Sequence, residues 1–359
     1  MNKNIRIMLV SPLPPPAGGD STWAFKYLRF AKENNLNIYH VNTSLIGKRA
    51  ETASDDMNLR DELLRTKHIW KQIRTTLKKN IQIVHFNSNC SKRGLMRDFI
   101  SVSIIAHKKI PIIFHCRCNV SDQIKNSKIA LYFFKRISKK IRIFFVQNNS
   151  SFKFVSSHVK TRVVIMPNYI ESSFLIFKNK PISKRIKSAI FVGHIRKTKG
   201  IDELLNLSAA YPNIEFRLAG PITSDYSVDF FEKYSNVFLC GSLDSELIVQ
   251  ELDNSDVFIF PTYTEGFSNA LLEAMSRGMP IITTDVGSNL DMLENAGGII
   301  IQPKNSQQLI DAFDSIQPFD IRNSMSLWNV KKVMNCYTIE NVFKKMYSFY
   351  EELINENNY

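Results

Sequence analysis

The sequence predicts an α/β protein made of two doubly wound, Rossmann-like parallel sheets in tandem. Short apolar runs rich in β-branched residues alternate with longer windows of helical periodicity along the chain. Strands that are almost continuously hydrophobic are typical of parallel sheets covered by helices on both faces. With 359 residues, the chain is long enough for two domains that each bury a core of their own.

The first half contains six predicted strands separated by helices. The strands are the apolar runs 5–10, 37–41, 81–86, 110–115, 142–146 and 162–166. Helices are predicted at 20–34, 61–79, 93–108 and 121–139. In the window 61–79, Leu64, Ile69, Ile73 and Leu77 lie near helical spacing, which indicates a helix with one apolar face.

The alternation stops at 167–187, where prolines and charges indicate a linker, and then resumes. Strands are predicted at 188–193, 214–220, 236–241, 256–261, 280–285 and 297–301. Helices are predicted at 200–211, 226–234, 244–254, 267–277, 288–294, 306–315 and 337–357.

These elements divide the chain into a first domain at 1–168, a linker at 169–187 and a second domain at 188–335. The remaining segment, 336–359, holds the amphipathic C-terminal helix. We expect that helix to pack back on the first domain, because its apolar positions need a surface to cover.

Composition and cysteine usage narrow the class of protein. The chain is 44% hydrophobic and 22% charged, as in ordinary soluble globular proteins. No run approaches the roughly 18 apolar residues of a membrane helix. The first apolar run, 5–10, is stopped by prolines and suits a strand better than a signal peptide. Five scattered cysteines favour reduced thiols in a cytoplasmic protein.

The positive charge is concentrated in one half of the chain. Residues 1–160 contain 29 Lys and Arg against 9 Asp and Glu, a net +20, whereas residues 161–359 contain 18 against 24, a net −6. A strongly basic half indicates an anionic partner, such as phospholipid, nucleic acid or a phosphate-bearing substrate.

The stretch EGFSNALLE at 265–273 follows a predicted strand, where ligands bind in doubly wound sheets. Glu265 and Gly266 would lie at a helix N-terminus, which favours a phosphate. Glu265 would repel a phosphate alone, but it could accept hydrogen bonds from hydroxyls beside one. A sugar linked through a diphosphate to a ribose offers hydroxyls at both ends. On spacing alone, a solvated helix explains Glu265 and Glu273 about equally well.

The longer segment FIFPTYTEGFSNALLEAMSRGMPIITTDVGSNLDML resembles the signature of the retaining glycosyltransferases of family 4. Their fold, GT-B, has two Rossmann-like domains that face each other across a cleft. Glu265 and Glu273 match the family's Glu-seven-residues-Glu element. The similarity extends to 191–205, 214–221 and 242–261.

The resemblance implies a role for each matching residue. Glu265 would bind hydroxyls of the donor sugar, Glu273 those of the nucleotide ribose, and Lys199 would clamp the donor diphosphate. Sugar and phosphate would be held by the backbone amides of Gly266, Phe267, Ser268 and Asn269. The family often has arginine directly after the glycine at 193. This chain has His194 there, and Arg196 two residues later could compensate.

The first domain resembles the family more loosely. Gly18 and Gly19 follow the first strand, and their amides would face the donor. His85 and His115 are predicted at strand ends. His115 matches the family histidine near the reacting centre, where it would hydrogen-bond the donor sugar or the acceptor.

The resemblance therefore implies a metal-independent enzyme that moves a hexose from a nucleotide sugar to a lipid-linked saccharide, with His115, Lys199 and Glu265 as catalytic residues. No cofactor is expected, because no Asp-x-Asp element or His/Cys cluster suits a metal. We expect cytoplasmic, peripheral attachment to an anionic membrane surface, with 128–145 as the contact segment.

Two other functions stay open: a nucleotide-sugar epimerase of the same fold and a basic nucleic-acid-binding protein. The Glu265/Glu273 pair argues against the epimerase, since both carboxylates are assigned to hydroxyl binding. The absence of a recognisable RNA motif or aromatic-rich sheet face argues against nucleic acid as a partner.

Overall fold

The computed structural model describes residues 4–15, 18–44, 59–175 and 181–357. It divides the chain into two compact units, one of residues 1–167 with 343–359 and one of residues 168–342. Each unit has one six-stranded parallel sheet with helices around it. The predicted α/β fold class is confirmed.

The first unit is a doubly wound sheet with strand order β2-β1-β3-β4-β5-β6. Its strands are β1 Ile7–Ser11, β2 Ile38–Asn42, β3 Ile83–Ser88, β4 Ile112–Cys116, β5 Ile143–Val146 and β6 Arg162–Ile165. Its helices are α1 Gly19–Glu33, α2 Leu59–Thr76, α3 Lys92–Ala106, α4 Val120–Ile124, α5 Lys128–Ser138 and α6 Asn149–His158. Every residue of β1, β3, β4 and β5 is buried, as expected for central parallel strands.

The second unit has strand order β12-β11-β10-β7-β8-β9. Its strands are β7 Ser188–Val192, β8 Glu215–Ala219, β9 Val237–Gly241, β10 Val257–Phe260, β11 Ile281–Thr284 and β12 Gly298–Ile301. Its helices are α7 Ile201–Ala210, α8 Ser245–Asn254, α9 Asn269–Ser276, α10 Asn289–Leu293, α11 Ser306–Ser315 and α12 Phe319–Cys336.

The helix α13, Ile339–Asn357, begins in the second unit and continues in the first. From Phe343 onward it packs against the first sheet and its helices. The ring of Phe343 lies 4.4 Å from that of Phe30, and the ring of Phe349 lies 5.4 Å from that of Phe145. Lys345 Nζ donates to the backbone oxygen of Ile165 at 3.0 Å.

Several element predictions were wrong in detail. The single helix expected at 121–139 is two helices, α4 and α5, because Ser127 accepts from the amide of Ala130 and starts a new helix. The helix expected at 226–234 is only a 3₁₀ turn, Asp229–Phe231. This segment is rich in aromatic residues, which are weak helix formers.

Helices α6 and α12 were not predicted. In α12 the buried positions include polar residues such as Arg322, Ser326 and Asn329, which hides the apolar periodicity. Parts of the predicted linker pack on the second core, where Ile170, Phe174 and Ile186 are buried.

All five cysteines lie in described residues and none forms a disulfide. Within the described ranges, no helix combines the length and apolar character needed to cross a membrane.

Candidate active site

The second sheet reverses its winding direction between β7 and β10, which are hydrogen-bonded neighbours. In doubly wound sheets such a switch point forms the ligand crevice beyond the carboxyl ends of the strands. Here the loops are 193–200 after β7 and 261–268 after β10. They touch, because the amide of Tyr263 donates to the backbone oxygen of Thr198 at 2.9 Å. These two loops carry most of the predicted donor-site residues.

Lys199 and Glu265 form an ion pair between the two loops. Their side chains are 14% and 13% exposed, so the pair is largely sheltered while remaining accessible. Thr262 Oγ1 lies 3.3 Å from the same carboxylate oxygen of Glu265, and Lys199 Nζ lies 5.3 Å from the Phe260 ring centroid. The structure therefore brings together a cation suited to phosphate and a carboxylate suited to hydroxyls.

Two glycines, one in the loop after β7 and one in the loop after β11, allow these loops to approach the loop after β10 closely. Gly200 has φ 75°, and a Cβ there would lie 2.1 Å from the backbone oxygen of Pro261. Gly287 has φ 58°, and a Cβ there would lie 2.5 Å from the backbone oxygen of Glu265. Sequence reasoning missed both residues as parts of the site, although a glycine after a strand is a usable signal.

The first turn of α9 follows directly on Gly266 and Phe267. Ser268 is its N-cap but makes no side-chain cap; instead its hydroxyl donates to Asn289 Oδ1 at 2.6 Å. The positive end of the helix dipole and the free backbone N–H groups at this terminus favour binding of a negatively charged group. Asn269, exposed at the first helical position, accepts from Asn168 Nδ2 at 2.7 Å.

Asn289 connects this helix start to the loop after β11. It is fully buried, and its side-chain amide also donates to Thr283 Oγ1 at 3.0 Å and to the Thr284 backbone oxygen at 3.2 Å. The Thr284 hydroxyl donates in turn to the Thr262 backbone oxygen at 2.5 Å. Sequence reasoning did not single out Asn289, because its partners lie up to 21 residues away.

Glu273 lies on α9, four residues after Asn269, and is half-buried. Residues at this spacing share a helix face, so Glu273 is on the face that also presents Asn269. Its contact with a ribose stays a prediction.

His194 and Arg196 lie in the loop after β7 with different exposure. His194 is exposed, and desolvation together with the charges of Arg196 and Lys199 lowers its pKa. The imidazole is therefore neutral near pH 7. Arg196 is half-buried, and its Nε is a buried donor without a hydrogen-bond partner in the part of the chain that the structure describes. An anion in the crevice would give that donor an acceptor.

In the first unit, Gly18 and Gly19 start α1 and are exposed. His85 lies inside β3 and not at its end as expected, whereas His115 is the penultimate residue of β4; both are fully buried. His115 Nδ1 lies 3.0 Å from His85 Nε2, and His115 Nε2 lies 3.4 Å from Arg117 Nη1. The contact of His115 with a sugar stays a prediction.

Burial lowers the pKa of both histidines, and the charge of Arg117 lowers them further. The pKa of His85 falls to about 3, and that of His115 lies well below its usual range. Both rings are therefore neutral at physiological pH.

Among the described residues, no group of three or more His, Cys, Asp or Glu is placed to hold a metal ion.

Comparison with known proteins places this architecture among glycosyltransferases. Residues 173–317 match the family model described as "Glycosyl transferases group 1". The capsular polysaccharide biosynthesis glycosyltransferase CapM of Staphylococcus aureus is 27% identical over 178 residues, which cover 46% of each chain. The match thus spans about half the length of that relative.

Two further similarities extend over more of the chain. The processive diacylglycerol alpha-glucosyltransferase of Acholeplasma laidlawii is 22% identical over 69% of this chain and 80% of its own. The crystal structure of Anabaena Alr3699/HepE in complex with UDP has a TM-score of 0.71 at 14% identity, covering 97% of this chain and all of that one. That likeness shows the GT-B fold. Residues 173–317 thus resemble the glycosyl transferases of group 1, and the chain has the GT-B fold.

Proposed function

We propose that this protein is a retaining hexosyltransferase of bacterial surface polysaccharide or glycolipid synthesis. It transfers a sugar from a nucleoside diphosphate to a saccharide acceptor carried on a membrane lipid. The observation that carries the proposal is the Lys199–Glu265 pair at the switch point of the second sheet, beside the N-terminus of α9.

The donor would use both charges of that pair. The Lys199 ammonium and the amides from Gly266 to Asn269 bind the diphosphate, while Glu265 accepts hydrogen bonds from the sugar. Glu273 accepts from the ribose, and Arg196 and His194 border the phosphates. The Anabaena structure, determined with UDP, supports a nucleoside diphosphate as the ligand class.

In the transfer step, the bond from the anomeric carbon to the diphosphate oxygen breaks and a bond to the acceptor oxygen forms. The acceptor proton passes to an oxygen of the leaving diphosphate. Negative charge grows on that diphosphate, and Lys199 stabilises it more strongly as it grows. Glu265 accepts hydrogen bonds from the sugar hydroxyls, with Thr262 Oγ1 beside its carboxylate, and does not act as a nucleophile.

The positive charge of Lys199 and the α9 terminus lets the step proceed without a metal. Retention of configuration is supported by the resemblance of 258–293 to the family 4 signature. A lipid acceptor and a hexose donor are supported by the A. laidlawii relative, a diacylglycerol alpha-glucosyltransferase.

A basic surface in the first unit supports attachment to an anionic membrane at the cytoplasmic face. We define this α3–α5 surface by the exposed apolar residues Met96, Ile100, Ile129 and Tyr132 and the basic residues Lys92, Arg93, Lys135, Arg136, Lys139 and Lys140. The two helices pack together through Phe99 and Phe133, whose rings are 5.7 Å apart. Aromatic, apolar and basic side chains on one face are typical of membrane-surface helices.

The experiment incubates the purified protein with a panel of UDP- and GDP-hexoses, with and without lipid extract, and follows products by mass spectrometry. We expect slow hydrolysis of one donor and transfer to lipid when extract is present. NMR of the product should show the donor's anomeric configuration, and EDTA should leave the rate unchanged.

Other outcomes would point to other functions. Interconversion of two nucleotide sugars would indicate an epimerase. Binding of nucleic acid without turnover of any donor would contradict the transferase, and inhibition by EDTA would contradict metal independence.

A further inference from the structure

A buried chain of polar side chains in the first unit links helix α13 to His115. Arg117 Nη1 lies 3.4 Å from His115 Nε2, and His115 Nδ1 lies 3.0 Å from His85 Nε2. His85 Nδ1 lies 2.6 Å from the Tyr350 hydroxyl, which lies 3.2 Å from the hydroxyl of Tyr27. The four residues other than Arg117 are fully buried, so their polar groups are shielded from water.

The chemistry of Arg117 fixes the direction of this chain. A guanidinium can only donate, so His115 Nε2 accepts from it. A neutral imidazole has one donor and one acceptor nitrogen, so the His115 proton is on Nδ1 and is donated to His85 Nε2. The His85 proton is then on Nδ1 and is donated to Tyr350, whose hydroxyl lies 3.2 Å from that of Tyr27.

Packing holds the His115 ring in the orientation that this chain requires. The Trp23 ring meets it edge-on at 5.5 Å and 85°, and the Phe145 ring at 5.6 Å and 87°. A ring packed edge-on from two sides cannot turn over without displacing an aromatic neighbour. Which ring nitrogen of His115 carries the proton is therefore set by hydrogen bonds and not by rotation of the ring.

We propose that Tyr350 and His85 are positioning residues that hold His115 as the tautomer protonated on Nδ1, with Nε2 as the acceptor for a substrate hydroxyl. The proposal rests on the proposed function, which gives His115 a sugar or acceptor hydroxyl to contact. That hydroxyl takes the place of Arg117 at Nε2, whose 3.4 Å contact is the longest in the chain. Arg117 keeps its ion pair with Asp20, at 3.6 Å.

Removing the Tyr350 hydroxyl reverses the donor-to-acceptor direction of these hydrogen bonds. Without it, a proton on His85 Nδ1 is a buried donor that has lost its acceptor, which is unfavourable. Moving that proton to His85 Nε2 makes His85 the donor to His115 Nδ1. His115 must then carry its own proton on Nε2 and give up the 3.4 Å contact with Arg117, the longest of the series. It would offer a donor where the substrate hydroxyl needs an acceptor.

The decisive measurement is nitrogen NMR of the histidine rings in the protein without substrate. In the unmodified protein we expect His85 and His115 both protonated on Nδ1. In Tyr350→Phe we expect both protons on Nε2. A His115 protonated on Nε2 in the unmodified protein would overturn the proposal without any variant having to fold.

The matched control is Tyr347→Phe, on the same helix. Tyr347 is buried with its ring 5.3 Å from that of Tyr350, yet its hydroxyl has no hydrogen-bond partner among the described residues. This variant should leave both tautomers unchanged. A shift as large as that of Tyr350→Phe would show a general packing effect and overturn the proposal.

Kinetics test the consequence for the reaction. Tyr350→Phe should lower kcat at least tenfold with donor KM within about twofold, while Tyr347→Phe should match the unmodified enzyme. A tautomer change without loss of kcat would overturn the positioning role. If the unmodified protein turns over no nucleotide sugar, the proposed function fails, and the NMR result still decides the tautomer.

Discussion

At the scale of single residues, Lys199 and Glu265 depend on each other because each carries the other's counter-charge. In the proposed function, a donor diphosphate would compete with Glu265 for the ammonium, while sugar hydroxyls would donate to the carboxylate. Both partners would then rearrange their hydrogen bonds in one binding event. The Thr262 hydroxyl has a single proton to donate and lies within reach of Glu265 Oε1 and of the backbone oxygens of Thr198 and Thr264.

Lys199→Ala should lower kcat by about 10²–10³-fold, as for loss of one charge-stabilising donor in an active site. Added magnesium should not restore it, whereas Lys199→Arg should recover part of the rate. Combined with Glu265→Ala, the effects on kcat/KM should be non-additive by about 0.5–3 kcal/mol, because the residues are paired. Strict additivity in this double-mutant cycle would contradict the coupling.

Glu273→Ala should weaken binding of the nucleoside diphosphate by about 1.5–3 kcal/mol, the range for hydrogen bonds to a charged group. Glu265→Ala should mainly lower kcat, because in the proposed function Glu265 contacts the reacting sugar. Calorimetric titration with UDP and GDP measures the first effect. Unchanged affinity for both nucleotides would mean that Glu273 does not contact the ribose.

Asp20 in the first turn of α1 gives a pH prediction. Burial raises its pKa from 3.8 to about 6, against the opposing effect of Arg117. The folded protein therefore binds this proton more tightly than the unfolded chain, and the contribution of Asp20 to stability falls as pH rises from about 4 to 6. Denaturant titrations of Asp20→Asn should lack that decline. Parallel curves for variant and parent would contradict the shifted pKa.

The sequence identified Lys199 and Glu265 because they belong to a motif of matching order and spacing. It could not identify Asn289, because this asparagine links the loops only through its hydrogen bonds with Ser268, Thr283 and Thr284, which the fold brings around it. The same holds for Tyr350, whose partner His85 is 265 residues away. Helix α13, which carries Tyr350, appears in the sequence only as an amphipathic pattern.

At the scale of elements, the candidate crevice depends on contact between two loops, and a side chain at Gly200 would hold these loops apart. Gly200 ends the 3₁₀ turn Lys197–Lys199 and begins α7, so it fixes the position of Lys199. The absence of a side chain at 200 lets Pro261 approach. The ion pair to Glu265 depends on that approach.

Gly200→Ala should destabilise the protein by more than about 2 kcal/mol. A positive φ alone costs a residue with a Cβ up to about 2 kcal/mol, and here a clash with the Pro261 backbone is added. Gly241→Ala is the matched control: it also has a positive φ, 68°, but its added Cβ meets no atom within 4 Å. It should cost only the conformational part, about 1–2 kcal/mol. Denaturant titration measures both, and equal losses would show that the loop contact is not tight.

At the scale of the whole molecule, hydrophobic alternation was enough to predict two doubly wound sheets, because buried parallel strands must be apolar throughout. Residues 319–336 form a helix that alternation did not reveal. Arg322 is fully buried there and donates to the backbone oxygens of Ile316 and Ser183. Such buried polar residues look like surface residues in a sequence.

The charge asymmetry predicts salt-sensitive binding to anionic vesicles through the α3–α5 surface. Each basic residue near an anionic surface contributes about 1 kcal/mol, and added salt screens this attraction. Co-sedimentation should rise with the anionic lipid fraction and fall with salt. Lys135→Glu with Arg136→Glu should weaken it more than Lys184→Glu with Arg185→Glu in the second unit, a Lys-Arg pair that is also exposed. Equal binding to neutral vesicles, or none, would indicate a soluble acceptor.

The first unit is assembled from two separate pieces of chain, 1–167 and 343–359. At about 5–20 residues per second, a ribosome needs roughly 9–35 s to translate the intervening segment 168–342. Throughout that interval Tyr27 and Phe145 lack the rings of Phe343 and Phe349 that cover them in the finished protein. The second unit can thus close its core before the first does. In the cell, the first unit would therefore complete its folding only after the second unit has been synthesised.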